Sequence, residues 1–151
     1  MTALKLQKLV YYAQAWSLAL ENRPLFAEPI EAWDRGPVVR TLWQAHRGQW
    51  QIDRLPESDT SALTVEDRDI LNAVLARYGG LNPEVLSELT HVEEPWRLAH
   101  AQGHTTPIDR QHMAMYYRKL GQELIQEISS EDPLDPFSFR VAGGDYARKP
   151  A

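Results

Sequence analysis

ALKLQKLVYYAQAWSLAL, residues 3 to 20, carries apolar side chains at helical spacing on two faces. Leu6, Leu9, Val10, Ala13, Trp16 and Leu20 form one stripe; Leu4, Tyr11, Ala15 and Leu18 form another, roughly opposite. Thr2 stands where an N-cap belongs. A helix that is apolar on two sides is buried between layers or shared with a partner. The first reading predicts a mainly α domain built around this helix. The second keeps Tyr11 and Tyr12 as contact candidates, because phenolic hydroxyls seek a polar neighbour or the surface.

Working outward, IEAWDRGPVV (residues 30–39) breaks the helical character. Pro29 and Pro37 bracket a segment that cannot be helical throughout, and Gly36 before a proline should be extended. The alternation in IEAW predicts a short strand over 30–34, followed by a short helix over 38–46 carrying Val39, Leu42 and Trp43. WQID, residues 50–53, is the expected partner strand. Helical pattern resumes at Thr64, where TVED places an acid three residues after an N-cap, and Gly79-Gly80 end it. Asn82-Pro83, Pro95 and Thr106-Pro107 each mark a further helix start. The last helix should run to Ile128, with Ile108, Met113, Tyr117, Leu120 and Leu124 on its apolar side. The expected architecture is a compact, mainly α single domain of five or six helices, with a small β-hairpin or paired extended segments near residues 30–52. Residues 1–128 form the domain in this reading. Residues 129–151, with three prolines and a Gly pair, form a tail that is mobile or docked on a partner.

A length of 151 residues fits one domain, and 43% hydrophobic residues with five Trp suffice for a core. The formal net charge of -5 disfavours a stand-alone nucleic-acid binder, which needs a basic surplus to displace phosphate counterions. With no cysteine, disulfides, thiol catalysis and Cys-based zinc sites are excluded together. The N-terminus imitates a signal peptide, but only Leu9 to Tyr12 are uninterrupted and apolar between Lys8 and the Ala-Gln-Ala step. A secretory core needs about 7–15 such residues and a membrane span about 20. The expected location is the cytoplasm.

No constellation for catalysis stands out. His100 and His104 are four apart, but Ala101 replaces the Glu a metalloprotease needs after its first His, and Gly103 should end the helix between them. Adjacent carboxylates such as Glu93-Glu94 point about 100° apart on a helix and make no dyad. Glu31 and Asp34 near Arg35 could make one, and a salt-bridged corner explains them as well. No phosphate-cradling loop or nucleophile elbow is present. No metal, cofactor or membrane partner is expected. What is unusual is the aromatic content: Trp and Tyr, with Arg, anchor protein interfaces. Most of these rings are expected in the core, with Trp33 beside Arg35 the best exception.

Taken in order, LKLQKLVYYAQAW, PLFAEPIEAWDRGPVV, LTHVEEPWRLA and MYY resemble the Panacea domain of SocA-like antitoxins, over about residues 4–120. The resemblance implies a non-enzymatic antitoxin that neutralises a toxin encoded by an adjacent gene through direct protein contact. The toxins of such systems vary and include alarmone synthetases that block translation or consume nucleotides. A second implied role is that of a proteolytic adaptor delivering the toxin to a Clp protease, for which the tail would be the handle. In this reading Glu31, Gly36, Pro37, His91, Pro95 and Trp96 form a structural signature. Trp33, Asp34, Arg35, Val38 and Arg40 are the expected toxin-facing residues, with Tyr11 and Tyr12 as further candidates.

Overall fold

Helix α1 (Ala3–Glu21) runs through the middle of the protein and packs against four other helices and a hairpin strand. Its N-cap is Thr2, whose hydroxyl accepts from the Lys5 amide at 3.1 Å. Every residue from Gln7 to Ala19 except Val10 is buried, so both apolar stripes face protein except at the C-terminal end, where Leu20 is exposed. The computed structural model describes residues 1–53 and 61–130. Those residues form six helices and one two-stranded antiparallel sheet, the mainly α architecture expected from the sequence.

Strands β1 (Ile30–Trp33) and β2 (Gly36–Val39) make a tight hairpin, with Ala32 opposite Pro37 and Asp34-Arg35 at the turn. The helix expected to start at Val38 therefore starts at Arg40, as α2 (Arg40–His46). A proline is tolerated in β2 because its facing residue, Ala32, sends its own N–H away from the hairpin to the Thr106 carbonyl at 2.8 Å. The outer edge of β1 is covered in this way by residues 106–108, with the Ile108 amide returning to Ile30 O. This corrects the expected helix start at Thr106-Pro107. That stretch is extended, and Asp109 Oδ1 receives the Gln111 amide ahead of α6 (Arg110–Ser130). WQID pairs elsewhere than expected: Gln51 bridges Thr2, and the Ile52 amide donates to Met1 O.

The outer edge of β2 is covered by α1 itself. The Gln7 amide takes the Val39 N–H at 2.9 Å and donates towards Val39 O at 3.4 Å, standing in for a strand residue. Lys8 Nζ donates to Pro37 O at 2.9 Å. Buried backbone groups need partners, and a bare strand edge invites aggregation. Two polar side chains on a core helix meet both needs.

Helix α3 (Val65–Tyr78) opens with the capping box read from TVED: Asp67 N donates to Thr64 Oγ1 and Thr64 N to Asp67 Oδ2, each at 3.1 Å. Helices α4 (Pro83–Val92) and α5 (Glu94–Gln102) are separated by Glu93, whose backbone is extended. Pro95 forbids one continuous helix, because its ring would clash with the carbonyl four residues back. Helix α6 lies along α1 and extends through Ser130, past the boundary expected at 128. The expected tail otherwise lies outside the described residues. Among the described residues, no helix is long and apolar enough to cross a membrane.

Candidate functional site

The hairpin turn is held from behind by α4 and α5. Ser87 Oγ donates to Arg35 O at 2.6 Å, and Trp96 Nε1 to Trp33 O at 2.9 Å. His100 Nε2 sits 2.9 Å from Asp34 Oδ1. The Trp96 indole is flanked by His91, at 4.1 Å between centroids, and by His100, stacked at 4.4 Å. Pro95 and Trp96 are buried. The later aromatic-histidine motif thus clamps the corner formed by the earlier one.

Gly36 carries φ +116°, and a Cβ there would stand 2.6 Å from Lys8 Cε. Only glycine allows both that backbone and that approach. Glu31 pairs with Arg40 rather than with Arg35: Nη2 reaches Oε1 at 2.7 Å and Nε reaches Oε2 at 3.1 Å. Trp33 Nε1 also donates to Glu31 Oε1, at 2.9 Å. The Arg40 hydrogen bonds hold the Glu31 carboxyl below the usual carboxylate range. Asp34 pairs with His100, whose hydrogen bond lowers its pKa in the same way. The corner is salt-bridged, though not by the partners expected.

Beside this corner lies a cleft of about 540 Å³ between α1, β2, α2 and residues 47–50. Its lining includes Trp33, Asp34, Arg35, Val38 and Arg40, so the structure brings together the five hairpin residues expected to face a toxin. Trp33 and Trp43 meet at 5.4 Å, Arg40 lies 5.2 Å over the Trp33 ring, and Arg47 lies 5.3 Å over Trp43. Trp50 closes one side and is 71% exposed. Val38 is mostly buried and contributes little surface.

Tyr11 and Tyr12 do not belong to this surface. Both are fully buried and cannot touch a partner of the folded chain, so the expectation that they do is corrected. Their hydroxyls are satisfied inside. Tyr12 donates to Glu93 Oε1 at 2.6 Å, Tyr117 donates to the same oxygen at 2.9 Å, and the Tyr11 hydroxyl lies 3.0 Å from that of Tyr117. Burial raises the Glu93 carboxyl to about 7, against the opposing pull of the two phenols.

Sequence reasoning missed Trp43, Arg47 and Trp50 as cleft residues, and Lys8 and Glu93 as buried ionisable groups. Lys8 lines the cleft and has no exposed surface; burial, with Arg35 nearby, lowers its ammonium to about 7. The signal for Lys8 was its place in α1 between Gln7 and Leu9, on a helix with no solvent face to spare.

A family model described as "Antitoxin SocA-like, Panacea domain" matches residues 6–97, more than half of the chain. The chain belongs to the SocA-like Panacea-domain family. Comparisons with curated proteins and with solved structures return no match. The Panacea match spans most of α1, the hairpin, α2, α3, α4 and the start of α5, and so takes in the corner, Ser87 and Trp96 of its clamp and most of the cleft. The MYY stretch on α6, which also suggested the family, lies beyond the matched residues.

Proposed function

We propose that this Panacea-domain protein is a non-enzymatic antitoxin that binds a toxin encoded by an adjacent gene, with the hairpin corner and its cleft as the contact surface. Membership of an antitoxin family supports the role. The single observation that supports the place is the clustering of Trp33, Arg35, Trp43, Arg47 and Trp50 around one cleft beside a turn fixed by Gly36 and Trp96. Trp and Arg are the residues that carry binding energy at interfaces. A surface ordered before contact loses little entropy when it binds.

Co-expression with the product of each neighbouring gene tests this, following growth and co-purification together. The expected result is one neighbour that arrests growth alone, is neutralised by this chain and elutes with it. Rescue with loss of the toxin and no stable complex contradicts direct inhibition and points to delivery for proteolysis, for example by a Clp protease. A set of harmless, non-binding neighbours contradicts the antitoxin role.

A further inference from the structure

The cleft holds more positive charge than its own acids neutralise. Of the cations that line it, Arg40 is committed to Glu31. Asp34, the one carboxylate in the lining among the described residues, is committed to His100. Three cations remain. The exposed Arg35 side chain has no hydrogen bond or ion pair among the described residues. Arg47 has, among the described residues, only the face of Trp43. Lys8 is fully buried, and its ammonium meets one neutral carbonyl, Pro37 O, with no described carboxylate in ion-pair reach. An amine kept dry with a neutral partner projects a field that water screens weakly. Arg35 is close enough to Lys8 to disfavour its protonation, so an anion arriving beside Arg35 relieves both.

Around these charges stand Trp33, Trp43 and the largely exposed Trp50. We propose that the cleft receives an acidic segment of the bound toxin, with a carboxylate against Arg35 and Arg47 and an apolar or aromatic side chain among the three indoles. Lys8, with its ammonium held down to about 7, lies beneath and is drawn towards its charged form by the arriving carboxylate, since no part of it is exposed to touch a ligand. Charge selects a protein segment over a nucleic acid. The chain carries a net -5, which repels an extended polyanion, whereas a short acidic loop needs only the local field. The volume of about 540 Å³ admits a few side chains rather than a folded surface.

This inference rests on the antitoxin reading, and its test separates the two. The probe is the neighbour-encoded toxin that co-purifies. Its Kd is measured at 50 and 500 mM NaCl for the wild type and for the double variant Arg35→Gln/Arg47→Gln. Neither side chain has a hydrogen-bond partner among the described residues, so the variant should keep its fold, checked by circular dichroism. The expected result is at least tenfold weaker wild-type binding at high salt, and a variant that binds at least tenfold more weakly at low salt with little salt dependence. Equal salt dependence in both proteins overturns the acidic-segment inference while leaving the toxin complex intact. Quenching of tryptophan fluorescence by ATP in the isolated wild type, absent in the variant and competing with toxin, overturns it in favour of a nucleotide. Absence of any toxin complex overturns both readings.

Discussion

Gly36→Ala is the sharpest probe of the corner. At φ +116° an alanine is strained, which costs about 1–3 kcal/mol. The new Cβ would also stand 2.6 Å from Lys8 Cε and 3.0 Å from both Lys8 Nζ and Thr90 Oγ1. Lys8 is a flexible side chain, but relieving the collision means swinging it out of its buried seat towards the cleft it lines. Moving its ammonium off Pro37 O loses a charge-assisted hydrogen bond, worth about 1.5–3 kcal/mol. The two effects together predict a loss of about 3–6 kcal/mol, a large share of the roughly 5–15 kcal/mol that holds a domain of this size. Urea denaturation gives the value, with the m-value checking that the unfolding process is unchanged. The double variant Gly36→Ala/Lys8→Ala separates strain from collision: it should be less destabilised than the sum of the single changes, by about 1–3 kcal/mol. A single-variant loss below about 1 kcal/mol, or strict additivity in the cycle, would refute the packing account of this glycine.

Two other predictions concern groups behind the surface. Glu93, raised from 4.5 to about 7, is protonated in the folded chain at pH values where the unfolded chain has released the proton. Its contribution is therefore full below pH 4.5, declines as pH rises to 7 and is flat above; about 1.4 kcal/mol per pH unit caps the fall at roughly 3 kcal/mol. Glu93→Gln should remove that decline, read from the difference between the two stability–pH curves, and parallel curves would count against it. Trp96→Phe removes the donor to Trp33 O and part of a buried ring, for an expected loss of about 1–3 kcal/mol by denaturation. Toxin affinity should fall as well, and an unchanged affinity would mean that the clamp does not position the corner.

The elements that were legible in the sequence are those with a local cause. Helix α1 announced itself by periodicity, α3 by a Thr and an Asp three residues apart, and the α4–α5 break by Pro95. The errors came where a distant partner decides. Residues 36–39 read as a bend entering a helix because Gly-Pro argues locally against a strand. What makes them a strand is the register that turns Ala32 N–H outward, together with two α1 side chains that cap the other edge. Residues 106–108 resemble a helix start until β1 offers its edge. The two-sided apolarity of α1 hinted at the burial of Lys8, while nothing local marked Glu93. The cleft cluster was visible in the sequence as Trp33 and Arg35, but Trp43, Arg47 and Trp50 join it only through the fold.

The most direct test of the central claim is the affinity for the co-purified toxin of the double variant Trp33→Ala/Arg35→Glu, measured beside its thermal melt. Each side chain lines the cleft, and an interface hot spot contributes about 2 kcal/mol or more. With the fold retained, the account predicts binding weakened by about 30-fold or more, with loss of growth rescue. Undiminished binding by a well-folded variant would place the toxin contact elsewhere on the molecule and contradict the account.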